Sequence, residues 1–114
     1  SGTRILLDYR LQQLGMDPLN INWYTNEEFT HMSVAVAVLS GAADVGLGIY
    51  AAAKALGLDF IPVVTEQYDL IIPQDFFESR NIQILLNTIR SNDFKKQVQA
   101  LGGYSTEKTG EIIL

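Results

Sequence analysis

A chain of 114 residues, 47% hydrophobic and 18% charged, is too apolar for a disordered segment and long enough to bury one core. Its net charge of −5 excludes a phosphate-backbone binder, and the one adjacent basic pair, Lys95 and Lys96, reads as a solvated helix face. The lack of cysteine removes disulfides, thiolate zinc sites and cysteine nucleophiles together, and no run reaches the roughly 18 apolar residues of a membrane-spanning helix.

The opening "SGTRILLDYRLQQLG" predicts a first helix from Thr3 to about Leu14, stopped by Gly15 and sealed by Pro18. "LNINWY" (19–24) alternates apolar and polar residues as a half-buried strand does. "TNEEFTHMSVAVAVLSG" predicts a second helix, with Thr25 or Thr30 as N-cap and Gly41 as its stop. Alternation at Val34, Val36 and Val38 would suit a strand, but length, interleaved alanines and the acidic start at Glu27 and Glu28 favour helix. "ADVGLGI" reads as a short strand whose glycines mark close packing on backbone. "YAAAKALG" is a two-turn helix ended by Gly57, and "DFIPVV" and "YDLIIP" are β-rich runs at an edge or strand end. "NIQILLNTIRSNDFKKQVQALGG" gives two helices broken near Ser91, with Ser91 or Asn92 capping the second, and the tail is loop with a terminal extended piece. Helices alternating with strands predict an α/β chain: a three-layer α/β/α sandwich with a mostly parallel sheet.

Two helix starts carry small polar residues. The leading N–H groups of a helix have no intrahelical acceptor and lie at the positive end of its dipole. Ser1, Gly2, Thr3 and Arg4 at the first helix, and Thr30 and His31 at the second, therefore suit an oxyanion. The simpler reading is that Ser1, Thr3 and Thr30 only cap their helices. His31, the single histidine, has no HxH or HExxH spacing and no marked nucleophile beside it, so a structural or substrate-contacting role fits better than catalysis or metal binding. "GLG" at 46–48 is neither GxGxxG nor a P-loop, and the carboxylates are scattered. No catalytic residue, no metal and no cofactor is expected.

"SGAADVGLGI" resembles the G-x-A-D-x-G signature of type II periplasmic-binding-protein folds, which follows a helix whose N-terminus faces the ligand cleft. Together with "SGTRILLDY", "EEFTHMSVAVAVLSGAADVGLGI", "GLDFIP", "YDLIIP" and "LGGYSTEKTG", the chain resembles the binding-protein-like domain fused to molybdopterin-biosynthesis proteins and helix-turn-helix regulators. The resemblance covers nearly the whole chain.

That resemblance implies the second lobe of a two-lobed binder: a core over about 1–75, and C-terminal helices and tail over about 76–114 that would meet a first lobe. It implies fusion to that lobe and to another domain, and no direct contact with nucleic acid or membrane. The implied ligand is a small anion: molybdate, tungstate or another oxyanion, or a molybdenum-cofactor metabolite. Its implied contacts are Ser1, Gly2, Thr3, Arg4, Thr30 and His31, with Tyr68 near the return strand. Arg4 and His31 depart from the neutral donors of dedicated molybdate binders and suit a larger anion such as a pterin phosphate. An enzyme domain on the same fold, or a purely structural domain, are the alternatives. Cytoplasmic location is expected, with an extracytoplasmic binding protein as the alternative. The apolar face of the last two helices, with Ile82, Leu85, Leu86, Ile89, Phe94, Val98 and Leu101, is expected to form a homodimer or fold back on the sheet.

Overall fold

The computed structural model describes residues 2–113, and the chain divides into two units, Ser1–Asp59 and Phe60–Leu114. In the first, α1 (Gly2–Gln13) turns its one buried side chain, Leu11, inward. It stops in a Schellman arrangement: Met16 N–H donates to the Leu11 carbonyl at 3.0 Å and Gly15 N–H to that of Gln12 at 3.1 Å. That pattern needs a left-handed residue, which Gly15 supplies at φ 67°.

Helix α2 (His31–Leu39) begins at Thr30, whose hydroxyl oxygen accepts the Ser33 N–H at 3.0 Å. Helix α3 (Tyr50–Ala55) ends as α1 does, with Leu58 N–H on the Ala53 carbonyl and Gly57 at φ 68°. Ala35 of α2 and Ala52 and Ala53 of α3 are buried, so these two helices meet through their smallest side chains. The stretch between them passes so close to α2 that a Cβ on Gly46 would lie 2.5 Å from Val34 Cγ1. Close approach to backbone, expected from the glycines, is what the packing shows.

In the second unit, α4 (Arg80–Arg90) and α5 (Asn92–Leu101) form a helix pair. Ser91 alone joins them: its N–H bonds back to the Thr88 carbonyl, and its hydroxyl oxygen accepts the Phe94 N–H at 3.2 Å. The tail is fastened to both helices. Gln99 Nε2 donates to the Thr106 hydroxyl at 2.7 Å, with Thr106 buried, and Arg90 Nε donates to the Gly110 carbonyl at 2.8 Å.

The expected sandwich with a mostly parallel sheet is overturned: among the described residues there are five α-helices and two 3₁₀ turns, and no strand. The physical reasons differ by segment. At 19–24, Asp17 accepts the Leu19 N–H and Pro18 opens a 3₁₀ turn (Pro18–Asn20), then Trp23 takes a left-handed φ of 63° that no strand permits. At 43–49 the glycines lie under α2 and offer no side chains to a sheet face. Pro62 and Pro73 bring no N–H to a ladder. The runs at 59–64 and 68–73 remain irregular, because β-propensity acts only through cross-strand neighbours.

The buried apolar residues among those described are Leu11, Ala35, Ala52, Ala53 and Leu86. The chain exposes 9623 Å². Two separate compact units of half its 12.7 kDa mass would together expose only about 7,500 Å². Much apolar surface is thus left open, including Phe29, Leu19 and Ile71 at more than 90% exposure.

Two substitutions test this packing by thermal unfolding. Ser91→Ala should cost about 1 kcal/mol through loss of the α5 cap, while Ser91→Asp retains stability. Gly46→Ala should cost roughly 1–3 kcal/mol from overpacking, and Val34→Ala in the same chain should recover part of it, a coupling that independent sites would not show.

Candidate functional site

The residues expected to bind a ligand separate into three places. Ser1 lies outside the described residues. Gly2, Thr3 and Arg4 form the first turn of α1, and Thr30 and His31 open α2, all in the first unit. Tyr68 belongs to the second unit, in an irregular stretch, and is 72% exposed.

Arg4 is the most engaged of them. Its Nη2 donates to the Tyr24 carbonyl at 2.7 Å, and its guanidinium carbon stands 4.0 Å from the centre of the Tyr24 ring. Its Nε lies 3.3 Å from Glu27 Oε1 and 3.8 Å from Asp8 Oδ1. The Tyr24 hydroxyl closes the circuit by donating to Asp8 Oδ1. A guanidinium presents five donors in a fixed fork, and here the fork binds the chain's own carboxylates and carbonyl. Arg4 therefore organises this unit from within. It also brings the α1 start near α2, since Glu27 precedes Thr30 by three residues, a chain distance of at most about 11 Å.

At α2 the Thr30 hydroxyl is spent twice: it accepts from Ser33 N–H and donates to Ser33 Oγ at 2.8 Å. The N–H groups of His31 and Met32 sit at the first two helical positions, where the helix itself supplies no acceptor. His31 is half-buried and turned toward the glycine stretch, with Nδ1 3.8 Å from where a Cβ on Gly48 would stand.

An open groove of about 470 Å³ runs along α2, lined by Glu28, Thr30, Met32, Ser33, Val36 and Ser40 among others. Its lining mixes hydroxyls with apolar side chains and one carboxylate. Ser33, Ser40 and Glu28 were absent from the sequence-derived site; only the Thr-x-x-Ser spacing at 30–33 hinted at the first. No group of three or more His, Asp or Glu side chains suited to a metal occurs among the described residues, and no helix there is long and apolar enough to cross a membrane.

Residues 1–90 match the PBP superfamily domain. The chain belongs to the periplasmic-binding-protein (PBP) superfamily. This PBP domain is 38% identical over 114 residues to an uncharacterized protein in the 5′ region of the ferredoxin 2Fe-2S gene of Clostridium pasteurianum, covering 96% of this chain and 97% of that one. It is 36% identical over 114 residues to the uncharacterized protein YvgK of Bacillus subtilis (strain 168), covering all of this chain and 36% of that one. The chain thus spans nearly the full length of the first relative and about a third of the second. No solved structure matches it. Membership makes the PBP domain a ligand-binding module, in a family that is generally non-enzymatic.

Thr30→Val should lower stability by about 1 kcal/mol, because it removes the oxygen that accepts the Ser33 N–H, while Thr30→Ser keeps it. Chemical denaturation of the three chains checks this. Equal midpoints for all of them would show that the hydroxyl does not cap α2.

Proposed function

We propose that this PBP domain binds a small anionic ligand at the groove along α2, as one part of a larger binding protein. The observation that carries the reading is the α2 start itself. Two N–H groups without intrahelical acceptors and the Ser33 hydroxyl stand at the positive end of a nine-residue helix, where the groove begins. Glu28 on the groove wall opposes a bare dianion there and favours a ligand that also offers donors. An oxyanion carried on a larger polar body, such as a pterin phosphate, meets both conditions. Simple oxyanions such as molybdate and tungstate are the other members of the proposed class. The support for a molybdenum link is the likeness of the sequence motifs alone. Closure around the ligand would then bias whatever is joined to the domain.

A thermal-shift series with molybdate, tungstate, sulfate, phosphate and a pterin phosphate tests the reading on the longest natural form of the protein. A ligand at about one hundred times its Kd adds roughly 2.7 kcal/mol, which moves the midpoint by several degrees. One compound should stand apart from the rest. A series in which no compound moves the midpoint would end the proposal.

A second reading, association through the helix pair, rests on the exposure of Ile84, Leu85 and Leu101 at 54%, 42% and 56%. Light scattering across a concentration series should then show mass doubling, and Leu85→Glu should suppress it. A mass that stays constant removes this reading.

A further inference from the structure

The segment 21–27 connects the 3₁₀ turn to the lead-in of α2 with two bonds of its own, Tyr24 N–H to the Ile21 carbonyl and Asn26 N–H to that of Trp23. Its hydrogen bonds and ion pair to α1 run through Arg4 and Asp8, one turn apart on that helix. Trp23, the chain's sole tryptophan, stands at the middle of the segment with φ 63° and 78% of its surface exposed. A bulky residue disfavours that backbone region by roughly ten-fold, and an indole in solvent gains no burial in exchange. Something outside Trp23 must hold it there, and the fixed point beside it is the Tyr24 carbonyl and ring on Arg4.

We infer that residues 21–27 form a strap that opens and closes on α1 as one unit, latched by the Arg4 guanidinium. Latched, the strap holds Trp23 left-handed with its indole outward. Unlatched, Trp23 relaxes to ordinary backbone and 21–29 becomes an unfastened connection into the Thr30 cap. Part of the latch is ionic and lies at the surface: the Glu27 side chain is 65% exposed, so salt screens its pairing with Arg4. The carbonyl bond and the ring contact respond less to salt, which makes the strap adjustable instead of simply fixed. This device stands apart from the ligand reading and does not depend on it.

Hydrogen exchange, with the anisotropy of the single tryptophan, tests the strap on the full chain between about 0.05 M and about 1 M salt. Raising salt should speed exchange over 21–27 several-fold and lower the anisotropy of Trp23, with α2 unchanged. Arg4→Met should speed exchange over 21–27 by about ten-fold or more at both salt levels, and Glu27→Gln should remove most of the salt dependence. Trp23→Gly, read by exchange alone, should slow 21–27, because glycine accepts the left-handed backbone. The inference is overturned if Arg4→Met and salt leave 21–27 as in the native chain. It is equally overturned if α1 and 21–27 loosen together in the milder Glu27→Gln chain, since the strap would then not be a unit.

Discussion

A side-chain oxygen accepting one backbone N–H at the head of a helix is the contact from which this chain is built outward. Thr30 does so for α2, Ser79 for α4, Ser91 for α5, and Asp17 for the first 3₁₀ turn. The α-helices run from six to twelve residues, lengths at which an isolated helix barely forms in water. A cap worth about 1 kcal/mol is then comparable to what the rest of such a helix contributes on its own. The same contact bears on the candidate site: the Thr30 hydroxyl serves its own helix, which leaves the His31 and Met32 N–H groups as the donors there without a helical acceptor.

Packing in each unit is correspondingly economical. Three of the buried apolar residues are alanines, so α2 and α3 approach through backbone and methyl groups, with a glycine stretch threaded below. Alanine buries little area, and apolar burial stabilises at about 25 cal/mol per Å². Specific polar ties therefore carry much of the definition of the fold. In the first unit they centre on Arg4, and in the second on Gln99 with Thr106 and Arg90 with Gly110.

How far the sequence disclosed all this depends on range. Every predicted α-helix is present, because apolar spacing, capping hydroxyls and stopping glycines all act within five residues, as Thr30 with Ser33 and Gly15 with Leu11 to Met16 illustrate. Strand identity depends on a partner elsewhere in space, so "LNINWY" and "YDLIIP" carried β-propensity that the chain does not use. The site shows the same divide. The Arg4–Asp8 pair stands at helical spacing and is readable by eye, whereas Tyr24 and Glu27 lie 20 and 23 positions away from Arg4 and could not be assigned to it. The ties that Arg4 makes to Tyr24 and Glu27 were therefore invisible to sequence spacing.

The junction at Ser91 sets a rule about length. One residue closes α4 and opens α5, so there is no slack loop in which an added or lost residue could be absorbed. Inserting a single amino acid there would rotate α5 by about 100° about its axis and advance it by about 1.5 Å. Gln99 would swing away from Thr106, and the tail would lose that anchor. Natural variation in this protein's length should therefore gather at exposed irregular stretches such as 60–72, while the spacing from Arg80 to Leu101 stays constant.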